Sequence, residues 1–128
     1  PFNIAASVLL ILAQRLARRL CEYCKKPLDL PPETLLEAGF KEDDLDGLVV
    51  YGPDECENCV KGYKGRVGIY QVMPITDALS RIILEGANVT RIAEQARLEG
   101  IDDLRASGLK KVKSGVTSLA EVDRITRE

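Results

Sequence analysis

The sequence has no histidine and no tryptophan, a single methionine, and only six aromatic rings, two Phe and four Tyr. Without histidine, a Ser-His-Asp or Cys-His arrangement, an imidazole acid/base pair and a mixed Cys/His metal site are all excluded within the chain. No GxxxxGK[ST] run occurs either, so the phosphate-cradling glycines, the P-loop lysine and the Mg2+ hydroxyl are missing from this stretch. Gly62, Gly65 and Gly68 lie close together but do not make such a loop. The most apolar run, Ile4 to Ala13, is too short to cross a bilayer. Arg15, Arg18 and Arg19 follow it, whereas a secretory signal carries its basic residues first. What is present is an ordinary balance, 45% apolar and 30% charged over 128 residues, which describes a folded chain of one domain or two small packed pieces.

The net charge of −2 conceals a segregation along the chain. Residues 1–26 carry five basic side chains against one acid, residues 27–60 ten acids against Lys41, and residues 61–128 twelve basic groups against nine acids. The middle third therefore reads as an acidic excursion between basic flanks, with a solvated loop and helix face as its simplest form.

Val8, Ile11, Leu12, Leu16 and Leu20 recur at three- and four-residue steps and predict a helix over Asn3–Leu20. Its first half is apolar nearly all round, as expected of a helix buried in a larger body, and with Pro1 at the start the chain reads as a piece excised from a longer protein. Pro31-Pro32 and Gly39 bracket a short helix, and Lys41–Asp46 a further turn. Leu48–Tyr51 and Arg66–Val72 are β-rich runs bounded by turn residues. After Pro74 the pattern is helical over 77–84, 89–98, 104–113 and 119–126, punctuated by Gly86, Gly100 and Gly115. Asn88, Asp102 and Ser118 stand where N-caps belong, and Ser118 with Glu121 fits a reciprocal capping box. The fold class predicted is α+β, mainly α: a cysteine knuckle with a small β element, then a bundle of short helices.

Cys21-x2-Cys24 and Cys56-x2-Cys59 are the chemical signal of the sequence. Two-residue spacing lets two thiolates from one tight turn face one ion, and two such turns complete a tetrahedron. Four protein ligands leave no position for water or substrate, so the site is structural rather than catalytic. Two local disulfides fit poorly, because four cysteines in 128 residues is far below the density of secreted disulfide scaffolds. A thiol-redox pair would open a helix after a strand, whereas Cys21 is expected to follow a helix. Zinc is favoured, and iron in a tetrathiolate cage stays open beside it. Lys25, Lys26, Lys61, Lys64 and Arg66 flank the pairs and could moderate their negative charge.

Taken together, the run Phe2-Asn3-Ile4, Ala13-Gln14-Arg15-Leu16-Ala17-Arg18-Arg19-Leu20-Cys21, Cys24, and Cys56-x2-Cys59 into Gly62-Tyr63-Lys64-Gly65-Arg66-Val67-Gly68-Ile69-Tyr70 resembles the C-terminal part of PilB/GspE-type secretion ATPases. Ile75-Thr76, Ile92 with Ala96, Leu104 to Leu109, and Gly115-Val116-Thr117-Ser118 with Glu121-Val122 follow the family's closing helices, so the resemblance spans nearly the whole chain. It implies a hexameric cytoplasmic P-loop ATPase, peripheral to the inner membrane, that powers type IV pilus extension or type II secretion. On that reading residues 1–20 close the RecA-like core with its last helix, residues 21–73 are a zinc insert with its return strand, and residues 74–128 a C-terminal helical subdomain. Cys21, Cys24, Cys56 and Cys59 are then the Zn2+ ligands, while ATP and Mg2+ belong to the parent alone. The implied partners are the other subunits of a homohexamer, an inner-membrane platform protein and a PilZ-like regulator on the C-terminal helices. The pattern departs from the family at Glu55, where Gly is common, and at Val60-Lys61. Readings of another class are a free zinc ribbon that binds protein or nucleic acid, for which the insert is too acidic and aromatics too few, and a rubredoxin-like electron carrier.

Overall fold

The computed structural model describes residues 9–86 and 88–126. Its spine is an antiparallel ribbon of two twelve-residue strands, β1 (Leu9–Leu20) and β4 (Tyr63–Pro74), running from the pair Leu9 and Pro74 to the pair Leu20 and Tyr63. Between them lie β2 (Lys26–Leu28), α1 (Pro32–Ala38), α2 (Glu42–Leu45) and β3 (Val50–Gly52), with β2 and β3 forming a second short ribbon. Four helices follow: α3 (Asp77–Leu84), α4 (Val89–Leu98), α5 (Leu104–Lys113) and α6 (Leu119–Thr126).

The helix expected over Asn3–Leu20 is not formed in its described part: Leu9–Leu20 is strand, and residues 3–8 lie outside the described residues. The physical reason is a β-bulge at Leu12, where the register passes from Ile11 opposite Val72 to Ala13 opposite Gln71. One extra residue reverses the strand's alternation. With a second irregularity between Arg18 and Leu20, the positions withdrawn from solvent besides Leu12 itself run Leu10, Ala13, Ala17 and Leu20, steps of three and four that imitate a helix, while Leu16 is 55% exposed. The β-branched strand β4 supplies long-range pairing that overrides the helical propensity of Leu, Ala, Gln and Arg. The β element is thus much larger than expected, and the fold is mixed rather than mainly α.

The C-terminal helices form with the bounds that their caps and glycines predict. Asn88 Oδ1 accepts the Arg91 amide at 3.0 Å, but the cap of α5 is Asp103, not Asp102, with Oδ1 2.7 Å from the Ala106 amide. Asp102 pairs with Lys110 instead.

Three apolar clusters fasten these elements. Met73, Leu79 and Ala96 join α3 and α4 to one end of the ribbon, with Leu10, Leu12 and Ile92 around them. Ala17, Ile69 and Ile125 set its inner face on α6. Leu35, Phe40 and Val50 of the acidic excursion pack on Leu109, Val112 and Val122 of α5 and α6. The excursion is therefore only partly the solvated loop that its charge suggests. Arg105 reinforces the attachment, its Nε donating to the Ala38 carbonyl at 2.7 Å and its guanidinium pairing with Asp123.

Candidate metal centre

The ribbon delivers the first cysteine pair at the end of β1 and the second just before β4. Cys21 and Cys24 occupy a turn closed by the Lys25 amide donating to the Cys21 carbonyl at 3.0 Å. Cys56 and Cys59 precede a two-residue turn in which Val60 and Tyr63 exchange both backbone hydrogen bonds, each 3.0 Å. Both central residues of that turn are left-handed, Lys61 with φ 54° and Gly62 with φ 92°. Gly62 is obligatory for a second reason, since a Cβ there would stand 2.3 Å from the Pro53 Cβ. The two turns are joined by the Cys21 amide donating to the Gly62 carbonyl at 2.9 Å.

All four Sγ atoms lie within 4.8 Å of one another. Cys21 and Cys56 are 3.7 Å apart, Cys24 and Cys59 3.6 Å, and Cys56 and Cys59 3.6 Å. A tetrahedron with metal–sulfur bonds near 2.3 Å has edges of about 3.8 Å, whereas a disulfide needs sulfurs about 2.05 Å apart. These three edges match the tetrahedron and exclude a disulfide between those pairs.

Proton affinities point the same way. Burial opposes the Cys21 thiolate, but the Tyr23 and Cys24 amides and the neighbouring thiols outweigh it and bring this group down to about 7. Cys24 is pushed up to about 12 by burial and by the sulfurs of Cys59, Cys56 and Cys21. At Cys56 the Asn58 amide, 3.4 Å from Sγ, favours the thiolate, yet burial and Cys59 raise the group overall. Four thiols so close cannot all ionise alone, and a divalent cation removes that obstacle. The donor set, four sulfurs that fill a tetrahedron, suits Zn2+ and equally an iron ion.

Of the flanking cations, Lys25 is engaged away from the sulfurs. Lys25 Nζ turns away to the Gly115 carbonyl at 3.1 Å and to Glu22 at 3.3 Å, over the Tyr51 ring. The sulfurs receive the Asn58 amide instead.

A second polar constellation centres on Glu121, where the sequence pattern alone predicts a capping box. Glu121, buried at 1% exposure, receives the Arg18 amide at 2.8 Å, the Arg18 guanidinium at 2.9 Å, and both Nε and NH2 of Arg124 at 3.0 and 2.9 Å. Burial alone would raise its carboxyl, but Arg124 and Arg18 prevail and hold it down at about 2. The expected capping box is only half made: Ser118 Oγ accepts the Glu121 amide at 3.2 Å, while the carboxylate goes to β1. Tyr63 completes the link, its ring stacked under Arg18 and its hydroxyl 2.7 Å from Ser118 Oγ. Thr117 donates to the Arg18 carbonyl at 2.7 Å, and the Leu20 amide to the Val116 carbonyl at 2.8 Å. Residues 115–121 thereby grip the strand that leads into Cys21. The Ser-x-x-Glu pattern at 118–121 was the trace of this network in the sequence, shared with an ordinary helix start.

Comparison with known proteins identifies the family. Residues 1–124 match the family model described as Type II/IV secretion system protein. The type IV pilus assembly ATPase PilB of Pseudomonas aeruginosa is 57% identical, over 99% of this chain and 22% of its own length. PilB of Myxococcus xanthus is 44% identical over 95% of the chain and 22% of its length. The type II secretion system ATPase E of Vibrio cholerae is 39% identical over 100% of the chain and 25% of its length. The chain thus spans about a fifth to a quarter of these curated relatives. A match of this extent, with all four cysteines at one centre, assigns the chain to the type II/IV secretion system protein family.

Proposed function

We propose that this chain is the zinc-binding part of a hexameric ATPase that powers type IV pilus assembly, and that it serves there as a structural and docking element. The observation that carries the reading is the four-sulfur cluster, whose spacing suits a tetrahedral ion, in a chain 57% identical to a pilus assembly ATPase. When bound, the ion supplies a fixed cross-link and no chemistry of its own, because four thiolates occupy every position. The protein's residues do the rest: the turns at 21–24 and 56–59 orient the sulfurs, and the Glu121 and Tyr63 links pass that orientation to α6. In the whole protein, nucleotide and Mg2+ would be handled by the parent outside this stretch, on the cytoplasmic side of an inner membrane. Residues up to Leu20 would close the RecA-like core, with 21–73 the metal insert and return strand and 74–128 the helical part. The other subunits, a membrane platform protein and a PilZ-like regulator are the partners this places within reach. The equivalent role in type II secretion is the alternative, supported by the 39% identical relative.

Metal analysis of purified protein tests the first element. One zinc per chain in a colourless protein is the expected result, and visible absorbance with one iron would replace zinc by iron. Replacing Cys56 and Cys59 by Ser in the host gene tests the second. Loss of surface pili with secretion intact is expected, and the reverse pattern would assign the chain to secretion.

A further inference from the structure

The open edge of β4 forms one wall of a cleft of about 680 Å3 whose opposite wall is one face of α5 with the preceding loop residues Gly100, Ile101 and Asp102. Ser107, Lys110, Lys111 and Ser114, at helical spacing, line the α5 side, and Gly68, Ile69 and Tyr70 the strand side. The backbone polarity of that strand edge follows from β1. The Arg18 amide donates to Glu121 and its carbonyl accepts from Thr117, so Arg18 hydrogen-bonds away from β4. Arg18 and Arg66 are therefore a non-hydrogen-bonded pair, and antiparallel alternation turns Arg66, Gly68 and Tyr70 outward on the far edge. Among the described residues, no backbone group of another element bonds to these three.

The cleft holds Asp102, Lys110 and Lys111, and Arg66 stands on the same strand edge just outside it, so the excess charge is positive. Lys110 is paired with Asp102, but among the described residues neither Lys111 nor Arg66 forms an ion pair. An unpaired strand edge beside a helix face is the setting in which an extended peptide adds as a further strand, with backbone hydrogen bonds for affinity and side-chain positions for selectivity.

We propose that this cleft binds an extended acidic peptide segment, which pairs with β4 at Gly68 and Tyr70 and places carboxylates against Lys111 and Arg66. Tyr70 and Val72, two positions apart on the strand and 47% and 37% exposed, give the cleft apolar surface at alternate positions. An acidic partner with alternating apolar and carboxylate side chains matches both features. None of the four cysteines lines the cleft, so the site stands or falls apart from the metal reading.

The test uses the full-length, metal-loaded protein and a fluorescent, end-capped peptide of alternating Glu and Val, eight residues long. Saturable binding is expected, together with reduced deuterium uptake across 66–72, and at least about tenfold weaker binding for Lys111→Glu. A peptide with proline at its central position should lose binding, because it lacks the amide that pairs with the edge. Binding that tolerates the proline peptide, or leaves uptake across 66–72 unchanged, would overturn strand addition in favour of mere ionic association. Inorganic phosphate displacing the peptide at equal affinity would assign the lysines to a small anion instead. Self-association that protects 66–72 and excludes the peptide would make the edge an interface between copies, and the proposal would fail.

Discussion

The β1–β4 ribbon carries two helix pairs, both packed on apolar side chains, but only one of them is also tied by a buried polar network. At the Leu9 and Pro74 end, α3 and α4 are fastened by Met73, Leu79, Ala96 and their apolar neighbours, while Leu84, Val89 and Leu98 remain largely exposed. At the Leu20 and Tyr63 end, α5 and α6 also use apolar burial, Ile125 on Ala17 and Ile69, and add to it the buried polar set of Thr117 and Ser118 in the loop between them and Glu121 of α6. Apolar burial is non-directional and tolerates small shifts, whereas a buried polar network fixes one geometry and is costly to leave half satisfied. The second end is therefore the one that can hold two metal-binding turns in register. It is also the end that should respond to metal and acid.

Metal removal is the sharpest way to break the contrast. Binding of a tetrathiolate zinc is on the order of 10 kcal/mol in small domains that fold around it. Chelation should raise amide exchange in 21–28 and 52–63 first and leave α3 and α4 unchanged. The stretch 35–50 should lag behind, because Leu35, Phe40 and Val50 share their core with α5 and α6. Equal loosening of both helix pairs would contradict the division.

The converse test acts on the apolar end. Leu79 is fully buried in the α3–α4 cluster, and Leu79→Ala should cost about 3 kcal/mol in denaturant unfolding. Metal affinity should be unaltered, and a coupled loss of both would join the two ends energetically.

At the polar end, Glu121→Ala should destabilise by about 2 kcal/mol, less than for a fully enclosed ion pair because Arg18 and Arg124 are half exposed. Its pH dependence has a definite sign. The folded carboxyl is held at about 2, below the ordinary value for Glu of about 4.3, so its stabilisation is complete above the unfolded value. It is lost as pH falls from there through about 2. Wild-type stability should thus decline across that window more steeply than that of Glu121→Ala, and parallel curves would show that the carboxylate is not responsible.

The contrast also explains what the sequence could disclose. Helix bounds after Pro74 were legible because caps and glycines act locally, and the cysteine pairs because two-residue spacing has few other uses. β1 was not, since the bulge at Leu12 converts an alternating strand into helical steps, and only pairing with distant β4 decides between them. The Glu121 network was hidden for a related reason: Arg18 and Glu121 are 103 positions apart, and Ser118-x-x-Glu121 has a complete local explanation as a helix start. The acidic excursion was half legible, its charge visible and the core partners of Leu35 and Phe40 not.

The smallest effect concerns how closely α5 and α6 approach. Gly108 lies inside α5, where alanine by itself would stabilise a helix by about 1 kcal/mol. A Cβ at this position would stand 3.0 and 3.1 Å from the two Cγ atoms of Val122, which is itself fully buried among Leu109, Val112 and Phe40. Val122 is enclosed by core neighbours on its own side, so the overpacking is expected to exceed the gain in propensity and Gly108→Ala should lower stability by up to about 1 kcal/mol. In a Val122→Ala background the same substitution should become stabilising, since the contact is gone and the helix preference remains. A double-mutant cycle in thermal unfolding measures that reversal of sign. Additive effects would mean that the α5–α6 contact has the slack of the apolar end, and the difference between the two helix pairs would reduce to metal and Glu121 alone.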